Sequence, residues 1–314
     1  MRLYQFGYAR SAVQIYAGEM SSLTGLQVTP NLAKAIADRM PVVALESAVI
    51  THGLPKAAAL EAVDRQWRSC EKAGAVPAIV AVFEGELRVG LSRDDCAALA
   101  AQPGAVKVSP WNLAASLARP GFGGTTVAAT ILAAAGAGIG VVSTGGIGGV
   151  HPGDGQDVSA DLTELSRHPV AVVCAGPKST LNAAATLERL ETLGVPVIGW
   201  RSWLLAGFLA TSAGLRLPVR AETADELAAL IRRHWQLGGA GLVVSQALPG
   251  HLAIPSSELA ADATGSERGP DRTPAELARL QARLGGRVIE ANTSLLERNA
   301  GLAAALAAAL ARHG

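Results

Sequence analysis

Short, wholly apolar runs alternate with longer segments of helical periodicity along this chain, and that alternation limits the fold more than any other feature. PVVAL (41–45), VPAIVAVF (76–83), IGVV (139–142), VAVVCA (170–175) and GLVV (241–244) each have the length of a strand and no polar face. A strand that is apolar on both sides must be covered on both sides, which indicates a largely parallel sheet between layers of helices. Helices are expected over 55–73, 127–135, 160–166, 181–193, 224–236, 274–284 and 292–312, with a further strand at 195–199. The runs 76–83 and 87–90 read as a hairpin turning at Glu84-Gly85. Gly123-Gly124-Thr125-Thr126 precedes the helix at Val127 and supplies its start, and residues 261–271 read as a polar stretch.

Length and composition narrow the class. The 314 residues suit one large α/β domain, with no composition break to divide it. The formal net charge is +1, so no overall electrostatic pull favours nucleic acid or a membrane surface. The apolar stretch from Thr125 to Val142 is interrupted by Gly136, Gly138 and Gly140 and does not read as a membrane span. Cys70, Cys96 and Cys174 are scattered, with no CxxC pattern, which suits a reducing cytoplasm and neither a disulfide framework nor a zinc site. Residues 1–26 lack a continuous apolar stretch and read as an arm rather than a secretory signal, leaving 27–314 as the domain.

The segment STGGIGGVHPGDGQDVSADLTEL (143–165) follows directly on an expected strand. A dinucleotide fingerprint needs G-x-G-x-x-G opening a helix; here His151 stands where the third glycine belongs, and an acidic, proline-containing loop follows. No Gly-Lys-Ser/Thr follows either, so the phosphate-loop pattern of nucleotide-binding proteins also fails. Consecutive glycine amides and a helix start are instead suited to an anion such as a phosphate. Asp157 and Asp161 are four residues apart, and on a helix they would share a face, as a hard cation requires; alternatively Asp157 and Ser159 cap the helix starting near Ala160.

Lys178 follows the apolar run 170–175, where α/β proteins place ligand-binding groups. Only five of the 27 basic residues are lysines: Lys34, Lys56, Lys72, Lys107 and Lys178. In so arginine-rich a chain, a lysine at a strand end suggests chemistry a guanidinium cannot perform, such as amine attack on a sugar carbon. Glu46 ends the run 41–45 and would share that edge with Lys178, placing it as a general acid or base, unless it is merely paired with Lys107 or an arginine. His52 reads as a metal ligand or, more simply, as a loop-orienting residue. Asn292 and Asn299 are seven apart and can face one side of the last helix, either to reach a polar site or to satisfy backbone groups.

In order, the stretches ALES..ITHGLP, VKVS, GGTTVAAT, STGGIGGVH, DVSADLTEL, PVAVVCAGPKS, LETLGVPVIG and IEANTSLLERNA resemble the pseudouridine-5'-phosphate glycosidase family, also called indigoidine synthase A-like, over roughly Val28 to Leu310. The resemblance implies a three-layer α/β/α sandwich with a mostly parallel mixed sheet, a homotrimer, and Mn²⁺ or another divalent cation. It implies the reversible cleavage of pseudouridine 5'-phosphate to uracil and ribose 5-phosphate. Lys178 falls at the Schiff-base nucleophile position, Glu46 at the proton donor, and Asp157 at the metal ligand. Lys107, Val127 and the run Ser159-Ala160-Asp161 fall at substrate contacts, and Asn292 matches an active-site asparagine.

The chain also departs from the family pattern. Where relatives commonly carry K-V-S-R-R-D-L, this sequence has Lys107-Val108-Ser109-Pro110-Trp111-Asn112-Leu113, and an A-N-P-I-P motif is replaced by Val244-Ser245-Gln246-Ala247-Leu248-Pro249. The expected catalytic set is retained while its surroundings drift. A synthetic reaction joining ribose 5-phosphate to a carbon nucleophile other than uracil therefore stands as the alternative.

Overall fold

Val43 and Leu45 of the first central strand face one apolar core, Val42 and Ala44 face another, and all four are buried. That alternation repeats along the sheet and places helices on both of its sides. The computed structural model describes residues 25–259 and 272–312. Its strands are β1 (Leu26–Val28), β2 (Val42–Leu45), β3 (Val76–Phe83), β4 (Glu86–Leu91), β5 (Val106–Val108), β6 (Phe122–Thr125), β7 (Val141–Ser143), β8 (Ala171–Cys174), β9 (Val197–Trp200), β10 (Val219–Ala221) and β11 (Leu242–Ser245). Its helices are α1 (Pro30–Ala37), α2 (Lys56–Lys72), α3 (Arg93–Ala100), α4 (Leu113–Leu117), α5 (Val127–Gly136), α6 (Ala160–Leu165), α7 (Ala183–Thr192), α8 (Ala224–Gln236), α9 (Ser256–Leu259), α10 (Arg272–Leu284) and α11 (Gly286–Ala311), with a single π-helical turn at Val49–Gly53.

Among the described residues the strands form one sheet in the order β1-β4-β3-β2-β7-β8-β11-β9-β10, with β6 on β3 and β5 on β6. The pairs β3–β4 and β3–β6 are antiparallel and the others parallel, so the sheet is mixed but mostly parallel. One core packs α2, α3, α8 and α11 on the sheet, while the other packs α1, α5, α6 and α7. This is the three-layer α/β/α sandwich. Helix α11 lies along its own side against α2, α8 and strands β2, β7 and β8. Its run of alanines lets it come close to its neighbours, and Ala300, Ala303 and Ala304 are fully buried.

Most expected elements appear within a residue or two of their anticipated limits. The last helix begins at Gly286 rather than Asn292. The segment 122–125, most of which was read only as the approach to the helix at Val127, is strand β6, paired with both β3 and β5. Glycine makes that pairing close: a Cβ at Gly124 would lie 2.6 Å from the Ser47 carbonyl oxygen and would overlap Thr51 Oγ1. The polar stretch 261–271 and residues 1–24 of the expected arm lie outside the described residues, whereas Leu26 already belongs to β1. Among the described residues no helix is long and apolar enough to cross a membrane.

Gly124→Ala should destabilise the protein by about 2 kcal/mol or more, because backbone and not a flexible side-chain tip must move. Gly121→Ala, with only Arg119 O at 4.0 Å from its Cβ position, is the control. Urea denaturation of both variants measures the difference.

Candidate active site

The parallel register of β2, β7 and β8 pairs Leu45 with Ser143 and Ser143 with Val173, so these strands end side by side. Glu46 follows the first end, Thr144-Gly145-Gly146 the second, and Gly176-Pro177-Lys178 comes shortly after the third. Glu46, Thr144, Gly145, Gly146 and Lys178 line one cleft. Helix α11 closes one wall with Asn292 and Leu296, and Lys107 enters from β5.

The turn after β2 fixes Glu46. Val49 N–H donates to Glu46 Oε2 at 3.0 Å, and the π-helical turn that follows brings His52 to the cleft, with its Nδ1 2.6 Å from Thr51 Oγ1. Burial raises the Glu46 pKa above the ordinary carboxylate value, against the opposing pull of Lys178 and of the Val49 and Ala48 amides; the charge of Asp161 adds to the rise. The outcome is a carboxyl group that keeps its proton more readily than a solvated glutamate, beside Lys178. That is a suitable condition for a general acid.

Lys178 is placed by its backbone. Its N–H donates to Ile147 O at 3.1 Å, which ties it to the glycine loop. Two residues earlier Gly176 has φ +81°, and a Cβ there would strike the Ala206 carbonyl. Phe208, also lining the cleft, has φ +60° although it is not glycine, and its N–H donates to Ala175 O at 2.7 Å. A left-handed conformation in a bulky residue is costly and persists only where its surroundings impose it.

Asp161 is 5% exposed, and both of its carboxylate oxygens accept backbone N–H groups: Ala128 at 2.9 Å and Gly148 at 2.7 Å. It therefore ties the glycine loop to the first turn of α5. The helix bearing it starts at Ala160 with Ser159 as cap, the Ser159 hydroxyl accepting from Asp161 N–H at 3.2 Å. Asp157 precedes that helix, so the shared helical face considered for the two aspartates does not form, and Ser159 is the capping residue.

The cleft thus gathers Glu46, Lys107, Lys178 and Asn292 from the sequence-expected set. Val127, Asp157, Ser159, Ala160 and Asp161 lie outside its lining. The two asparagines of α11 divide their work. Asn292 faces the cleft, whereas Asn299 Nδ2 donates to Thr144 O at 2.8 Å and Gly145 O at 3.3 Å, holding the loop from behind. Sequence reasoning gave no role to Phe208 or Thr144.

The model of the indigoidine synthase A-like family matches residues 31–309. The chain belongs to that family. A pseudouridine-5'-phosphate glycosidase of Sorangium cellulosum is 43% identical over 307 residues, covering 94% of this chain and 96% of the relative. Pseudouridine-5'-phosphate glycosidase 2 of Rhizobium johnstonii is 45% identical over 296 residues, covering 91% and 96%. Among solved structures, an indigoidine synthase A-like protein of Thermotoga maritima superposes with a TM-score of 0.85 at 33% identity, covering 91% of this chain and 97% of that one. A prealnumycin C-glycosynthase in complex with ribulose 5-phosphate superposes with a TM-score of 0.84 at 35% identity, covering 92% and 97%.

The raised pKa of Glu46 has a consequence for stability. A carboxyl group whose folded pKa stands above 4.5 stabilises the fold fully below that value and loses the contribution as pH rises through the folded midpoint. Glu46→Gln, which cannot ionise, should therefore gain in melting temperature relative to the parent as pH rises from about 5 to about 8. A difference that stays flat across that range would show that Glu46 is not held in this way.

Proposed function

We propose that this protein is a C-glycosidase of the lyase type that cleaves pseudouridine 5'-phosphate, with water, to uracil and ribose 5-phosphate. The single observation that carries the reading is the cleft pairing Glu46 with Lys178 in a chain 43% identical to a pseudouridine-5'-phosphate glycosidase.

The chemistry explains why a lysine is wanted. The base of a C-nucleoside is joined through carbon, so protonating a ring nitrogen does not make it a leaving group as in an N-glycoside. The Lys178 amine attacks C1' and the C1'–O4' bond breaks, its electron pair leaving with O4', which takes the Glu46 proton. The open-chain adduct then carries nitrogen and the base on the same carbon. The Glu46 carboxylate takes a proton from the ammonium nitrogen of the adduct, which restores the nitrogen lone pair, and passes it to the base carbon. The C1'–C bond then breaks toward the base while that lone pair forms a C=N⁺ bond at C1'. Water adds to that iminium and releases the aldehyde sugar and the free amine. Each step is reversible.

Lys107, on β5 beside the start of α5, is a cation suited to the sugar phosphate, and Val127 begins a helix whose N-terminal end favours anions. Asn292 offers both a donor and an acceptor to the sugar or base from the α11 wall. Among the described residues no group of three or more His, Cys, Asp and Glu side chains is arranged to hold an ion, and both oxygens of Asp161 accept backbone amides. Asp157, partly exposed at the end of the glycine loop, fits a hard divalent cation that keeps most of its own water, Mn²⁺ by the family pattern. Such an ion supplies positive charge to a phosphorylated substrate. We take the assembly to be the homotrimer the family implies, and the three unpaired, buried cysteines suit a cytoplasmic setting.

A second reading is C–C bond formation between ribose 5-phosphate and another carbon nucleophile. It is favoured by the likeness to the C-glycosynthase and by Pro110-Trp111-Asn112, where Trp111 is 81% exposed. Incubation with Mn²⁺ and pseudouridine 5'-phosphate, scored by mass for uracil and ribose 5-phosphate, separates the two. Release by the parent, and its loss in a folded Lys178→Ala variant, is the expected result. A folded, metal-loaded parent that releases no uracil would overturn the cleavage reading.

A further inference from the structure

Strand β3 changes partner along one edge. Val76 to Ile79 pair with β2, and Ala81 to Phe83 pair with β6, so Val80 stands at the changeover. The pairing of β3 with β4 shifts register at the same place, between Ile79 and Val80. Two side-chain hydroxyls meet the Val80 carbonyl there: Ser47 Oγ donates to it at 2.5 Å and Thr125 Oγ1 at 2.7 Å. Ser47 Oγ also accepts the Thr125 N–H at 2.9 Å, and Ser47 N–H donates to Thr125 O at 3.3 Å. Thr130 Oγ1 lies 3.0 Å from Thr125 Oγ1 and donates to Thr126 O at 2.9 Å, which carries the network into α5. Ser47, Thr125 and Thr130 are fully buried.

The location of this cluster gives it a role beyond satisfying backbone groups. Ser47 directly follows Glu46. Thr125 ends β6, which pairs Gly124 with Lys107 and leads into Val127. One hydroxyl clasp therefore joins the turn that carries the acid to the two elements that carry the phosphate contacts. Gly124, lying directly against the Ser47 carbonyl, leaves no slack between them.

We propose that Ser47 and Thr125 are positioning residues for the reaction, setting the Glu46 carboxyl against the sugar-phosphate site through their shared grip on Val80. The proposal rests on the C-glycosidase reading for its activity arm. Glu46 is faced by Lys178 and Asp161 electrostatically, and by His52 and Lys107 across the cleft, and the clasp keeps it in register with all four. A loss of the clasp frees the turn whose Val49 amide holds the carboxylate.

The test compares Thr125→Val, which keeps the side-chain shape and loses the hydroxyl, with Thr125→Ser, which keeps the hydroxyl, and adds Ser47→Ala. Each is checked for folding by its thermal transition. In turnover of pseudouridine 5'-phosphate, Thr125→Val and Ser47→Ala should lose about a hundredfold in kcat, the scale of a small misplacement of a reacting group. KM should move less than about threefold, because the loss falls on the proton-transfer step. Thr125→Ser should stay near the parent.

A second readout needs no turnover. Infrared titration of the Glu46 carboxyl band, assigned by its absence in Glu46→Gln, should give a shifted midpoint in Thr125→Val and Ser47→Ala and the parent midpoint in Thr125→Ser. Unshifted midpoints in both hydroxyl-less variants would overturn the clasp whether or not the parent is active. So would equal losses in Thr125→Val and Thr125→Ser. A parent inactive on the nucleotide, with the midpoints shifted as stated, would overturn the reaction reading and leave the clasp standing.

Discussion

Parallel strands all end on the same edge, and the rest of the site follows from that constraint. With β2, β7 and β8 in register, the residues just past each strand meet over one opening, so groups more than 130 positions apart in the chain, Glu46 and Lys178, share a cleft. The helices that flank such a sheet present their N-terminal ends toward the same edge, which is why an anion is favoured there. Helix α11 adds a wall that the strands alone do not supply. It can lie close to the sheet because its inward residues are mostly alanine and leucine.

Placing charge in such an opening is costly unless each group is held. Asp161 is satisfied by two amides from different elements, and through them it ties the glycine loop to α5. Glu46 is also reached by two amides, those of Val49 and Ala48, but burial outweighs them and Lys178, so its equilibrium shifts toward the protonated acid. Asp161 acts as a structural tie, whereas burial leaves Glu46 holding its proton more readily than a solvated glutamate does.

The central sheet was legible in the sequence because buried parallel strands leave continuous apolar runs. Strands β1, β5, β6 and β10 were not, since they leave no such run: β1, β5 and β10 are Leu-Gln-Val, Val-Lys-Val and Val-Arg-Ala with exposed positions, and β6 is Phe-Gly-Gly-Thr. Lys178 and Glu46 stood out by their position after apolar runs. Their neighbours did not: Ser47 and Thr125 resemble ordinary turn residues until β3 is seen to change partner at Val80. Asn292 and Asn299 were equivalent on a helical wheel, and only the depth of the glycine loop against α11 separates a cleft residue from a loop anchor. The spacing of Asp157 and Asp161 suggested a shared face that depended on a helix starting three residues earlier than it does.

The central claim is that the Lys178 amine forms a covalent bond with the sugar carbon. The most direct test is to reduce a mixture of the protein and ribose 5-phosphate with borohydride and locate the adduct by peptide mass. The account predicts a reduced sugar-phosphate adduct on Lys178, absent from a folded Lys178→Ala variant. No adduct on Lys178 in a protein that still turns over substrate would contradict it.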